Sequence, residues 1–68
     1  MFRRHPAISH KVLVSLYSDN AIEGVLTKTV GNFLVVQGAV IHQSGSDPTP
    51  ADGEIVIDTA NVDYVQKL

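Results

Sequence analysis

Three histidines and two late aspartates are the residues of this sequence whose chemistry could serve a metal site or acid–base catalysis. His5, His10 and His42 fit no common zinc spacing, and the chain has no cysteine to complete one. Asp58 and Asp63 flank a predicted tight connection, where acids usually cap turns or remain solvated. No nucleophile–base arrangement accompanies them. We therefore expect no metal, cofactor, catalytic residue or small-molecule substrate, and the chain is not predicted to be an enzyme.

The charge of the chain is spread unevenly. Residues 1–11 contain Arg3, Arg4 and Lys11 and no acid, whereas residues 12–68 contain two lysines against seven acids, a net charge of −5. Two interpretations of the basic segment are open: contact with phosphates, or docking onto an acidic surface such as the body of a neighbouring copy. We favour a docking arm formed by Arg3, Arg4 and Lys11, because the body lacks the basic face that nucleic-acid domains usually show.

The size of the chain favours one domain that depends on partners. With 68 residues and no disulfide, a single core rarely supplies more than about 3–5 kcal/mol without a metal or an oligomer. Its 44% hydrophobic and 18% charged residues are typical of a folded domain with apolar surface to cover. The longest apolar run, residues 33–36, is far too short for a membrane helix. We expect a protein made inside a cell, with no membrane partner.

The elements that must position any site are predicted to be strands, because apolar residues recur with a period of two. Gly24 interrupts the second of them, where a glycine usually marks a sharp bend or a close backbone approach. We expect an all-β fold: a small five-stranded, strongly bent antiparallel sheet or partly open barrel over residues 11–68, preceded by a basic arm or helical turn at 1–10. The predicted strands are 11–17, 21–28, 33–43, 54–58 and 62–66, with a loop at 44–53.

Self-assembly through strand edges is the predicted use of this sheet, since free edges must be paired or covered. Edge pairing is expected through segments 33–43 and 54–66. Phe33, in an apolar run, is expected in the core, and Tyr64 at a contact between subunits, where tyrosines are enriched. The predicted assembly interface comprises Phe33, Val35, Val36, Ile55, Val56, Ile57, Val62 and Tyr64.

The order of these segments resembles the Sm-like fold of LSm and Hfq proteins. The first signature of that family would run from Val12 to Leu26, with Gly24 at the bend, and the second from Ile55 to Val65. The resemblance covers about residues 11–66. It implies that the last two strands join neighbouring subunits into a ring.

The RNA-binding positions of that family are not matched here. RNA-binding members place an Asp and an Asn around the third strand and an Arg-Gly pair in the second signature. This sequence has Asp58-Thr59 at the Arg-Gly position, and Thr29 or Val30 where the Asp would be. Asn32 fits the Asn position only if the strand is shortened by two residues. A carboxylate in place of an arginine repels phosphate, so the resemblance implies that the uridine pocket is lost.

A narrower resemblance links the end of the chain to small proteins encoded among the virion structural genes of tailed bacteriophages. It rests on the tract from Asp52 to Asp58 (DGEIVID) and the tract from Ala60 to Gln66 (ANVDYVQ). It implies a structural subunit of the capsid or head–tail connection, located in a virion assembled in the host cytoplasm. The expected partners are copies of itself and other virion proteins, and not nucleic acid. The alternative is an RNA-binding Sm-like ring protein.

Overall fold

Five strands in a single antiparallel sheet make up the fold. The structure, a computed structural model, describes residues 7–68. The strands lie side by side in the order β4-β3-β2-β1-β5, and the bent sheet is not closed into a full barrel. The predicted fold class is therefore confirmed. The elements are β1 (Lys11–Leu16), β2 (Ala21–Val30), β3 (Phe33–His42), β4 (Thr49–Asp58), the 3-10 turn η1 (Thr59–Asn61) and β5 (Val62–Lys67).

The core lies on the concave face of the sheet, and the period-two pattern explains which residues reach it. Val12 and Val14 of β1 point inward with Leu26 of β2 and Val36 of β3, and all four side chains are fully buried. Removing one such side chain, as in Leu26→Ala, typically costs about 2–5 kcal/mol. The remaining members of the core cluster are Ala7, Ile22, Leu34, Ala39 and Ile57.

Gly24 marks a close approach between β2 and β3. A Cβ atom at this position would lie 2.6 Å from Val36 Cγ1 and 2.9 Å from the carbonyl oxygen of Gln37. We expect Gly24→Ala to lower the free energy of unfolding by about 1–3 kcal/mol, because an extra methyl group overfills this contact. Urea denaturation measures the loss. In a Val36→Ala background the added cost should be smaller, and equal costs in both backgrounds would contradict the contact.

Strand β4 begins earlier than the sequence predicted. Residues 49–53 were expected to be loop because of their proline and glycine, but Thr49, Pro50 and Ala51 pair with the end of β3. Pro50 is tolerated because β4 has a neighbour on one side only, so a missing N–H on the free side breaks no ladder. Gly53 adopts φ +77°, and it accompanies the register shift that separates the two halves of the hairpin.

The segment before β1 packs onto the bent sheet. Ala7 is buried in the core, the Ser9 N–H donates to the Leu26 carbonyl at 2.7 Å, and the Leu26 N–H donates to the His10 carbonyl at 3.1 Å. Arg3 and Arg4 of the predicted docking arm, together with His5, lie outside the described residues. Within residues 7–68, no helix is long and apolar enough to cross a membrane.

Candidate functional site

The two free edges of the sheet are β4 and β5. Strand β3 hydrogen-bonds β2 on one side and β4 on the other, so the prediction that segment 33–43 supplies a free edge is wrong. Val35 and Val36 are buried within the fold and present no side chain to a partner. Only the second predicted segment, 54–66, contains free strand edges.

Each free edge has one exposed, large apolar side chain on the convex face. Val56 of β4 is 59% exposed, and Tyr64 of β5 is 54% exposed. The alternate residues face the core: Ile57 is buried, and Ile55 and Val62 pack against the core cluster. Among the residues predicted for assembly, Val56 and Tyr64 are thus the ones free to contact another molecule at an edge. The role of the set in assembly stays a prediction.

The connection between β4 and β5 lies beside the turn between β2 and β3. The Asp58 carboxylate accepts a hydrogen bond from the Ala60 N–H at 3.0 Å and so caps η1. The Thr59 N–H donates to the carbonyl of Asn32, in the β2–β3 turn, at 2.9 Å. Because Phe33 pairs with Asp58 at the end of the β3–β4 ladder, this turn lies beside η1, although their residues are far apart in the sequence. We call this region, formed by the β2–β3 turn and η1, the connector end.

Phe33 lies at the connector end and is exposed. It pairs with Asp58 of β4 and with Val30 of β2, and 43% of its surface is open to solvent. The prediction that Phe33 belongs to the core is wrong, because its neighbour Leu34 takes the inward position. Val30, also exposed, lies opposite it in the ladder. The connector end therefore offers an aromatic face to a ligand.

Tyr17, the residue after β1, lies beside η1 of the connector end. The sequence did not identify it as a site residue. Its backbone N–H donates to the carbonyl of Asn61, the last residue of η1, at 3.0 Å. Its side chain is 68% exposed, the largest fraction among the exposed large apolar residues described. The sequence feature that could have identified Tyr17 is an aromatic residue directly before the polar turn at 18–20.

Positive charge is sparse in the described part of the chain. Both arginines precede residue 7. Lys11, assigned to the docking arm, instead begins β1 and forms an ion pair with Glu23 at 3.1 Å. Lys28 lies on β2 and Lys67 on β5, not on the turn or on η1. Among residues 7–68, no three histidine, cysteine, aspartate or glutamate side chains could together hold a metal ion.

A charged cluster joins the first three strands. Glu23 of β2 contacts Lys11 Nζ of β1 at 3.1 Å through Oε2, and His42 Nε2 of β3 at 3.2 Å through Oε1. The hydrogen bond from Lys11, followed by the one from His42, holds the pKa of the Glu23 carboxyl below its usual value of 4.5. The folded state therefore favours the ionised form of Glu23.

This pKa shift predicts an acid-sensitive contribution to stability. The contribution of Glu23 is fully present above pH 4.5 and is lost as the pH falls through the lower pKa of the folded state. Between about pH 7 and about pH 3, the wild-type protein should lose more stability than Glu23→Gln, as measured by urea midpoints. Lys11→Met should reduce the pH dependence in the same direction. Identical pH profiles for the wild type and Glu23→Gln would contradict this interpretation.

The similarity of this chain to known proteins is found in their structures. No protein-family model matches the chain, and no match was found among curated proteins. The structure resembles the Sm protein of Pyrococcus abyssii in complex with a uridine heptamer, with a TM-score of 0.81 and 26% identity over 94% of this chain and 90% of that one. The chain has an Sm-like fold.

Two further structures share this Sm-like fold. The SmAP1 heptamer of P. aerophilum has a TM-score of 0.79 and 24% identity, covering 91% of this chain and 82% of that one. A chain of the NatC complex bound to CoA also has a TM-score of 0.79, with 19% identity over 91% of this chain and 79% of that one. At these identities, the two likenesses bear on the fold alone.

These comparisons correct two predictions. The chain was expected to be a structural subunit of a tailed-phage virion, but its structural neighbours include Sm proteins, one of them bound to a uridine heptamer, and nothing supports a capsid or head–tail connector. The expectation that nucleic acid is not a partner is contradicted by the same complex. The Sm neighbours are consistent with a non-enzymatic protein, which stays a prediction for this chain.

Proposed function

We propose that this chain assembles into a ring of identical copies and that the ring binds single-stranded RNA at its connector ends. The observation that carries the proposal is the likeness, over 94% of the chain, to an Sm protein in complex with a uridine heptamer. Two features of the chain support it independently: two free strand edges with exposed apolar side chains, and a connector end with an exposed aromatic ring.

Ring assembly follows from pairing β4 of one copy with β5 of the next. Pro50 has no N–H to donate and Gly53 lies at a register shift, so the regular part of the β4 edge is 54–58. Among the registers that match core face to core face, we propose the one that puts Ile55 opposite Val65 of the neighbour; a slip by one residue would expose both. This register sets Val56 opposite Tyr64. The two exposed edge side chains then cover each other on the convex face.

At the connector end, we expect the protein to bind RNA mainly through contacts with the bases. Phe33 offers a ring on which an unpaired base can stack, and the exposed Asn32 next to it has an amide that can hydrogen-bond a base edge. The sequence-based argument against RNA treated Asp58 as a free charge that repels phosphate. In the structure its carboxylate also accepts the Ala60 N–H and caps η1, but it keeps its negative charge, so phosphates are not expected to contact it. With few cations nearby, stacking supplies most of the affinity.

Titration of the wild-type protein with fluorescent oligouridine, with duplex RNA of equal length as control, tests this function. We expect micromolar or tighter binding to the single strand and none to the duplex, whose bases are stacked inside. If the protein neutralises only one or two phosphates, its affinity for RNA should fall less than about tenfold between 50 and 200 mM salt. Absence of single-strand binding would refute the proposed function. A loss of affinity of more than about 100-fold over the same salt range would refute binding mainly through the bases.

A further inference from the structure

Tyr17 is an exposed aromatic residue whose side chain contributes little to the stability of the described part of the chain. Its backbone N–H is bonded to Asn61, but its ring is 68% exposed and its hydroxyl makes no hydrogen bond to residues 7–68. Aromatic side chains gain most of their stabilising effect from burial. The exposed ring of Tyr17 is therefore available to an external ligand.

The position of Tyr17 is fixed relative to Phe33 by the 3-10 turn between them. Thr59, at the start of η1, is bonded to Asn32, the residue before Phe33, and Asn61, at its end, is bonded to Tyr17. A 3-10 turn rises by about 2 Å per residue, so η1 separates the two backbone attachments by only about 6 Å. Two exposed aromatic residues thus lie at opposite ends of one short, hydrogen-bonded connector.

The polar groups between the two aromatic residues suit RNA. The exposed Thr59 and Asn61 have a hydroxyl and an amide that can bond a ribose or a base edge. The Asp58 carboxylate, the acid of this connector, is bonded to the Ala60 N–H. Stacking on neighbouring aromatic side chains is how single-stranded nucleic acid is held where hydrogen-bond readout and cations are few.

We propose that Tyr17 stacks a second base, so that each copy in the ring holds two consecutive unpaired nucleotides, one on Phe33 and one on Tyr17. This inference rests on the proposed function and extends it. It makes Tyr17 a binding residue and sets the RNA footprint of each copy at two nucleotides.

Intrinsic tyrosine fluorescence provides a direct test, because the chain has two tyrosines and no tryptophan. Tyr64→Phe keeps an aromatic ring at the β5 edge and leaves Tyr17 as the one emitter. Titrating this variant with oligouridine should quench its emission. In Tyr17→Phe, where Tyr64 is the one emitter, the same RNA should leave the emission unchanged. Quenching confined to Tyr17→Phe, or absent from both variants while RNA binds, would overturn the inference.

Affinity measurements separate this inference from the proposed function. Tyr17→Ala should weaken oligouridine binding about tenfold or more with an unchanged assembly mass, and Tyr17→Phe should bind like the wild type. If Phe33→Ala weakens binding and Tyr17→Ala does not, the second base site is refuted and the proposed function stands. If the wild-type protein binds no single-stranded RNA, the proposed function itself fails.

Discussion

Val56→Glu is expected to convert the assembled protein into single copies. Val56 is 59% exposed on a free edge, so the change should leave the fold of each copy intact. In the proposed assembly its side chain lies against Tyr64 of the neighbour, and an unpaired carboxylate buried there would cost several kcal/mol at every interface. Light scattering should therefore report the mass of one copy at concentrations where the wild type is assembled.

A charge-pair variant tests the register as well as the edge. Tyr64→Lys alone should also give single copies, whereas the double variant Val56→Glu/Tyr64→Lys should assemble, because each interface then pairs opposite charges across the strands. Val25→Glu is the matched control, since Val25 is also exposed but lies on the interior strand β2. The proposed register would be wrong if Val25→Glu dissociated the assembly, or if the double variant remained dissociated while both single variants were folded.

Phe33→Ala is expected to abolish most RNA binding. Stacking of a base on an aromatic side chain contributes about 1–3 kcal/mol. In a ring, one RNA strand contacts several copies, so the losses combine and exceed the single-site effect. We expect the affinity for oligouridine to fall at least about 100-fold in a fluorescence anisotropy titration. The free energy of unfolding should change little, because Leu34, not Phe33, packs in the core.

Two conservative variants show whether the aromatic ring is what matters at this position. Phe33→Tyr keeps the ring and should bind RNA like the wild type. Phe33→Leu keeps apolar bulk without the ring and should lose affinity nearly as far as Phe33→Ala. Equal binding by the leucine and tyrosine variants would show that Phe33 does not stack a base, and the connector end would have to be reassigned.

Local sequence patterns predicted most of the fold. The period of two located all five strands, and Gly24 marked a close approach, because only a missing Cβ admits Val36 at that distance. The start of β4 was missed because Pro50 signals a loop unless the strand is known to be at an edge. Phe33 was misplaced because an apolar run does not reveal where the alternation begins, and in the structure it begins with Leu34 facing inward.

The candidate site could not be predicted from the sequence to the same extent, because its contacts are not local. The hydrogen bonds from Thr59 to Asn32 and from Tyr17 to Asn61 continue the β3–β4 and β1–β5 ladders, so they depend on pairing between strands that are far apart in the sequence. The free edges depend likewise on strand order, which left β3 inside the sheet. The capping of η1 by Asp58 was not predicted either, because the type of a residue does not reveal which backbone group its carboxylate contacts.

Native mass spectrometry of the full chain with a short oligouridine tests the central claim most directly. The ring proposal predicts one dominant species whose mass is a whole number of copies, and a second species heavier by one RNA strand. The RNA-bound species should disappear in Phe33→Ala, while the RNA-free assembly remains. Single copies at all concentrations, or an assembly that takes up no RNA, would contradict the account.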